Sequence, residues 1–311
     1  MKSTAQRGIV CLKSDHNTYK QAPAKRLIRS PQVKRDFSER RRKDITVKTV
    51  GKSFREEEQM NAEDLINAWK AEERIARIHG WDFSHIRNRY TEEEDLPWDY
   101  RDTVLRYSKP DMRLLDIDTG GGEFLLSLNH PYKNTAATEG YPPNIELCRQ
   151  TLLPLGIDFR AGDGNAELPF AGSEFDMVIN RHGDYIPTEV YRLLKPGGIF
   201  ITQQVGAEND RELAELLCGK TQMPFPEQYL SIAAAKLVDA GFEIAEAEEC
   251  YRPIRFFDVG ALVWFAGIIE WEFPGFSVDT CCDRLLNAQR ILERNGCIEG
   301  RIHRYLLAAI K

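Results

Sequence analysis

Four clusters in the middle of the chain carry residue types suited to holding a small polar ligand: Asp116-Ile117-Asp118-Thr119-Gly120-Gly121-Gly122, Glu139, Ala161-Gly162-Asp163-Gly164 and Asn180-Arg181-His182. Glycines let backbone approach a ligand closely, so Gly120 and Gly122 are candidate ligand-facing positions. Asp116 is read either as orienting that loop by accepting backbone N–H groups or as a structural cap. Glu139, 17 residues past Gly122, is placed to accept two hydrogen bonds from a ribose diol; its plainer reading is a solvated strand-end acid. Asp163 is a carboxylate able to accept from an adenine amino group, with Glu167 a rival in the same loop. His182 is either a proton acceptor working near neutral pH or a structural histidine. Asn180 is assigned to the ligand site with them.

These groups act together only if the chain brings them to one edge. Apolar runs at Met112–Ile117, Ala136–Thr138, Ile157–Ala161, Phe175–Asn180 and Ile199–Val205 predict strands. Helical patterns at Glu123–Leu128, Asn144–Leu153 and 187–194 fall between them. Such alternation predicts an α/β fold with a doubly wound, parallel sheet and helices on both faces. Ligands then sit outside the carboxyl ends of the strands, which is where all four clusters fall. Further on, 208–218, 226–240, 258–270 and 278–295 read as helices, and Phe242–Glu248 and Ile302–Ile310 as strands. The run Val259–Ile269 is nearly all apolar but too short to span a bilayer, and is read as a buried helix. A nicotinamide site would share the glycines and the acid. However, Gly120-Gly121-Gly122-Glu123-Phe124-Leu125 lacks the third glycine of the dinucleotide fingerprint. No Gly-Lys-Ser/Thr follows, which excludes a Walker A loop.

Taken in order, these motifs resemble those of the class I S-adenosylmethionine-dependent methyltransferases. Asp116–Gly122 looks like motif I and Glu139 like the acid after the second strand. Asp163 with Leu168-Pro169-Phe170 and Phe175-Asp176-Met177-Val178 is similar to the region of motifs II and III. Arg192-Leu193-Leu194-Lys195-Pro196-Gly197-Gly198 looks like the late turn before the fifth strand. Ala137–Tyr141, Asn180–His182 and Phe200–Gly206 resemble a bacterial subgroup of uncharacterised members. The resemblance implies a seven-stranded sheet in the order 3-2-1-4-5-7-6 with strand seven antiparallel. It also implies S-adenosylmethionine as cofactor, with the glycine loop on its methionine part. One residue departs from the pattern: motif I usually has glycine where Asp118 stands. Its carboxylate is expected either to crowd the cofactor's own carboxylate or to point to solvent. On this basis 60–109 is read as an N-terminal helical lid and 110–311 as the methyltransferase domain with substrate-side insertions.

The acceptor is less legible. The Asp/Asn-Pro-Pro-Tyr/Phe motif of adenine amino-group methylation is absent, Asn180-Arg181-His182 standing in its place. The chain has 311 residues and a net charge of −6, but residues 1–59 carry +9 and 60–311 carry −15. An acidic body argues against a large phosphate-backbone interface, so a small-molecule acceptor is expected. Ribosomal RNA base methylation is the rival, from some similarity around Lys195–Gly198 to guanine N1 methyltransferases, whose zinc module has no counterpart here. A cofactor-binding regulatory protein that has lost catalysis is a third reading. The first 59 residues read as a basic, disordered extension. Lys34-Arg35 and Arg40–Lys43 suit nucleic acid, and a targeting peptide lacks its apolar region. The reading adopted is a mis-assigned start, because Arg55-Glu56-Glu57-Glu58-Gln59 before Met60 is what a ribosome-binding site encodes in frame. After it, Asn61 reads as a helix cap, with Leu65, Ile66, Trp69, Ile75 and Ile78 as an apolar face ending near Gly80. Trp81, Phe83, Tyr90, Trp98 and Tyr100 form either a lid or a packed helix edge, beside a helix at 101–107. Seven scattered cysteines, none in a C-x-x-C pair, suggest reduced thiols and a cytoplasmic protein, and Cys281-Cys282 reads as ordinary burial. No metal set and no membrane partner is expected, and the oligomeric state is left open.

Overall fold

The apolar runs from residue 112 onward form one sheet in the computed structural model, which describes residues 61–77, 83–93 and 95–311. Expectations placed on 1–59, Met60, Ile78, Gly80 and Trp81 fall outside these residues. In chain order the strands are β1 (Tyr90–Thr91), β2 (Leu114–Ile117), β3 (Thr135–Glu139), β4 (Asp158–Ala161), β5 (Phe175–Arg181), β6 (Leu194–Val205), β7 (Glu243–Phe256) and β8 (Ile298–Ile310). Across the sheet they lie in the order β1-β7-β8-β6-β5-β2-β3-β4. Strands β2 to β6 pair in parallel, whereas β8 runs antiparallel to both β6 and β7. The expected seven strands are therefore corrected to eight. The addition is β1, whose Tyr90 and Thr91 pair antiparallel with Phe256 and Arg255 at the outer edge of β7. Two residues are too few for an alternation of side chains to register in a sequence. The segment read as an N-terminal helical lid thus also supplies a strand.

Every residue of β2 and β3 is buried, as befits central parallel strands covered on both faces. On one face Leu115, Val178 and Phe200 meet Val190 and Leu193 of α5 (Pro187–Leu193) and Leu237 of α7 (Leu230–Asp239). On the other, Leu114, Met177 and Ile201 meet Val104 of α2 (Tyr100–Tyr107), Leu125 of α3 (Glu123–Ser127) and Cys148 of α4 (Pro142–Thr151). A third apolar cluster forms around α8 (Val259–Ile268), in which every residue but Gly267 is buried. Around it stand Trp69 of α1 (Ala62–Ile75), Leu213 and Leu217 of α6 (Arg211–Cys218) and Leu285 of α9 (Cys282–Asn295). Asn61 caps α1 by accepting from the Asp64 N–H at 3.0 Å. Ile75 departs from the expected face and is 53% exposed, because α1 ends at that residue. The turn at Lys195–Gly198 is absorbed into β6 as an irregularity, the register moving from Phe175↔Leu194 to Met177↔Ile199.

This topology makes the strand order reverse between β2 and β5: the chain leaves β2 for β3 on one side and returns to β5 on the other. The loops after β2 and β5 therefore flank the crevice where ligands of open α/β sheets bind.

Candidate active site

The loop after β2 is held open by its own residues. Asp116, buried, accepts from the Thr119 hydroxyl at 2.7 Å, so it braces the loop through a side chain and not through backbone N–H groups. Burial pushes its carboxyl up to about 7. Gly120 has φ +65° and a Cβ added there would meet nothing within 4 Å, so its outer face is free to receive a ligand. Gly122, φ +86°, starts α3 in a left-handed conformation that non-glycine residues adopt only under strain.

Glu139 ends β3 directly beside that loop. Its Oε2 accepts from the Gly120 N–H at 2.7 Å and its Oε1 from the Tyr141 N–H at 2.8 Å. A carboxylate offers about four acceptor positions, so two remain for a diol. Asp163 is exposed and accepts from the Asn165 N–H at 2.8 Å. It lies against Gly140, where an added Cβ would come within 3.2 Å of the Asp163 backbone. Glu139 and Asp163 thus stand at neighbouring strand ends, with the open face of Gly120 beside Glu139. These residues fit S-adenosylmethionine: Gly120 for the methionine part, Glu139 for the ribose and Asp163 for the adenine.

Asp118 does not simply point to solvent. It adopts φ +55°, and its carboxylate accepts from the Gly164 N–H at 3.3 Å and the Asp184 N–H at 3.1 Å. It therefore ties the loop after β4 to the loop after β5. Burial first, and then the nearby Glu139, push its carboxyl up to about 7. Asn180 is also a brace. Fully buried, it donates to the Ile117 carbonyl at 3.0 Å and accepts from Gln204 at 2.6 Å and Thr202 at 3.2 Å. Its second amide N–H donates to the Asp184 carbonyl at 3.4 Å, so the side chain ties β2, β6 and the loop after β5 together and positions the strand ends.

His182, with φ +58°, lies at the end of β5, its Nε2 3.1 Å from Gln203 Nε2 and 3.8 Å from Glu93 Oε1. Its side chain is 11% exposed. Burial, followed by the charges of Arg304 and Arg181, pushes its pKa down to about 3. The ring is therefore neutral at physiological pH, and the expectation that it titrates near neutrality is corrected. Trp98 donates to Gln203 at 2.7 Å, and the Tyr100 hydroxyl donates to the carbonyls of Asn180 and Ile201 at 3.0 and 3.2 Å. Both aromatics are therefore anchored to the strand ends that carry the site.

A cavity of about 480 Å³ is lined by both Asp118 and His182. Tyr90, Phe265 and Trp271 give it an aromatic wall, and Glu92, Glu93, Asp210, Glu272 and Arg304 a charged one. Arg304 is 4% exposed and pairs with both Glu92 and Glu93. Sequence reasoning missed this wall because its residues come from five separate parts of the chain with no common motif. One signal was present: Arg304 is a lone cation in the buried, mostly apolar run Ile302–Ala309.

Comparison with known proteins agrees with this geometry. Residues 115–202 match the family described as a methyltransferase domain. A demethylmenaquinone methyltransferase of Thermus thermophilus is 32% identical over 114 residues, covering 33% of this chain and 52% of the relative. A fatty-acid O-methyltransferase of Mycolicibacterium smegmatis is 30% identical over 112 residues, covering 33% of this chain and 40% of the relative. The chain thus spans about half the length of the curated relatives it matches. A functionally unknown protein of Deinococcus radiodurans shares the fold at 15% identity with a TM-score of 0.51, over 77% of this chain and 98% of that one. No helix among the described residues is long and apolar enough to cross a membrane.

Proposed function

We propose that this chain, whose residues 115–202 match a methyltransferase domain, transfers a methyl group from S-adenosylmethionine to a small-molecule acceptor seated in the cavity between β1, α8 and the end of β5. One observation carries the reading: the cavity is lined both by Asp118 of the glycine loop and by His182 after β5, which supports an acceptor seated beside the proposed cofactor position. Similarity to relatives named for menaquinone and fatty-acid methylation supports a small molecule over a nucleic acid. So does the acidic cavity wall, which would repel phosphate.

The cofactor supplies a methyl group already activated by its sulfonium. The protein's part is placement: Glu139 and Asp163 fix the nucleoside end, and Gly120 lets the methionine end lie against backbone. The Asn180 brace holds β2, β5 and β6 in register under them. Alignment in a dry site is worth much of such a reaction, with effective molarities of about 10⁵–10⁸ M in well-oriented cases. His182 lines the cavity with its Nε2 accepting from the Gln203 amide, which leaves the Nδ1 proton as the group it would offer to the acceptor.

The test is calorimetry with S-adenosylmethionine followed by a screen of a metabolite extract with methyl-labelled cofactor, with and without ribonuclease. Binding and label transfer to a small product that survives ribonuclease are expected. Label in ribonuclease-sensitive material would replace the acceptor class with RNA, and binding without any turnover would favour a regulatory protein.

A further inference from the structure

Two carboxyl groups in the cavity are not used by anything described above. Asp210 is 1% exposed and Glu272 is 3% exposed, and both line the cavity. One oxygen of each, Asp210 Oδ1 and Glu272 Oε2, has no hydrogen-bond partner. Leaving a buried polar atom unsatisfied costs about 1–3 kcal/mol, and native folds keep few such atoms. That two of them share one cavity wall points to a ligand that satisfies both.

Both groups are fixed in place. Asp210 precedes α6 in a left-handed conformation, φ +54°. Its N–H donates to the Arg301 carbonyl at 2.9 Å, and its Oδ2 accepts from Asn209 at 2.7 Å. Glu272 closes the turn after α8 through its N–H to the Ile269 carbonyl at 2.9 Å. Burial pushes the Glu272 carboxyl up to about 7 and Asp210 well above its ordinary range, with Glu92 adding to the latter. A cation placed beside them would reverse both shifts.

The surrounding charges narrow the ligand further. Besides these two, Glu92, Glu93, Asp118 and Asp184 face the cavity, against Arg181 and Arg304. Arg304 is committed to Glu92 and Glu93. The guanidinium of Arg181 lies 5.0 Å from the centre of the Phe124 ring. Six carboxyl side chains thus face two guanidinium groups on this wall, which favours an ammonium over an anion and sets it against the carboxyls of Asp210 and Glu272 beside the rings of Tyr90, Phe265 and Trp271. Aromatic faces attract cations as well as apolar bodies.

We infer that the acceptor cavity selects a protonated amine carried on an aromatic or similarly flat apolar body, with Asp210 and Glu272 as its binding pair. The inference rests on the reading that this cavity holds the methyl acceptor. It is tested on the full chain by calorimetry with tryptamine, tryptophol, which carries a hydroxyl in place of the ammonium, and indole-3-propionate. Tryptamine should bind at least about tenfold more tightly than tryptophol, as an ion pair in a buried site requires, and the acid should not bind. Asp210→Asn and Glu272→Gln keep size and should each erase most of that preference, while affinity for S-adenosylmethionine stays unchanged. Equal binding of tryptamine and tryptophol, tighter binding of the acid, no binding of any of the three, or an undiminished preference in both variants would overturn the inference. Titration of S-adenosylmethionine into the same samples separates the two claims. If the cofactor binds without amine preference, only this inference fails; if the cofactor does not bind, the methyltransferase reading fails.

Discussion

Replacing Glu139 by alanine removes the one side chain that joins the glycine loop to the end of β3. Its two oxygens accept from the Gly120 and Tyr141 N–H groups at 2.7 and 2.8 Å. Hydrogen bonds to a charged acceptor contribute about 1.5–3 kcal/mol each before water compensates. Tyr141 is exposed, with 54% of its surface accessible, so water replaces its partner readily. The Gly120 N–H is only partly accessible, so most of the cost falls there. We therefore expect a stability loss of about 1–3 kcal/mol, the range for one orphaned donor. Cofactor affinity should fall further than stability does. The two remaining acceptor positions on the carboxylate are those assigned to the ribose diol, and losing both should weaken S-adenosylmethionine by roughly 10- to 100-fold, about 1.4–2.7 kcal/mol. Glu139→Gln refines the test. Its amide presents an N–H₂ to one of two N–H donors, so it should recover part of the stability and little of the affinity. Calorimetric titration with S-adenosylmethionine, alongside thermal melts, reads both quantities. Affinity within twofold of wild type in Glu139→Ala, with an intact fold, would refute the placement of the ribose at β3.

Four further outcomes follow from the same geometry. Asp118→Gly should leave cofactor affinity equal or weaker and lower the melting temperature, because the Gly164 and Asp184 N–H groups lose their acceptor; tighter binding would show that Asp118 crowds the cofactor. Asn180→Ala should cost about 2–4 kcal/mol in denaturant unfolding, since it leaves the Ile117 carbonyl and Gln204 without their buried partner; a loss under 1 kcal/mol would contradict the brace. His182→Ala should lower the methylation rate without removing any pH-dependent limb between pH 6 and 8, because the pKa of this histidine lies near 3; a limb near pH 6.5 that disappears in the variant would show that it titrates in the working enzyme. Finally, the folded-state pKa of Glu272 is raised, so the folded protein binds a proton there that the unfolded chain has released. Its contribution is full below its unfolded pKa and is lost as pH rises from about 4.5 to about 7. Relative to wild type, Glu272→Gln should thus gain stability between pH 5 and pH 8, by up to about 3 kcal/mol; parallel melting curves across that range would show the carboxyl to be unperturbed.

The strand-end placement of the residues proposed to hold the cofactor was legible in the sequence because short-range rules govern it. Glycines at φ +65° and +86°, an acid at the end of the next strand and another in the loop after β4 each belong to a strand-end loop. The order of strands alone brings them together. The same local reasoning failed where a side chain answers to a distant partner. Nothing around Asp118 indicates that its carboxylate would cross to Gly164 and Asp184, 46 and 66 residues away. Asn180 reads as a ligand residue because it ends a strand, and nothing local in the sequence indicates that its amide bonds to Ile117, Thr202, Gln204 and Asp184.

The acceptor half illustrates the limit more sharply. Its wall is assembled from β1, the loop after β5, the start of α6, the turn after α8 and β8, and no two of these neighbour each other in sequence. What the fold shows is a set of local costs: an arginine inside an apolar strand, an aspartate in left-handed backbone at the start of a helix, and a glutamate just past a buried helix. Arg304 is explained within the fold by Glu92 and Glu93, since a buried cation must be paired. Asp210 and Glu272 are not explained within the fold, because each retains an unpartnered oxygen. Residues whose cost is balanced inside the protein are structural, and those whose cost is not are the ones to test against a ligand. By that criterion the cavity's specificity lies with this pair, and its chemistry is that of a cation receptor.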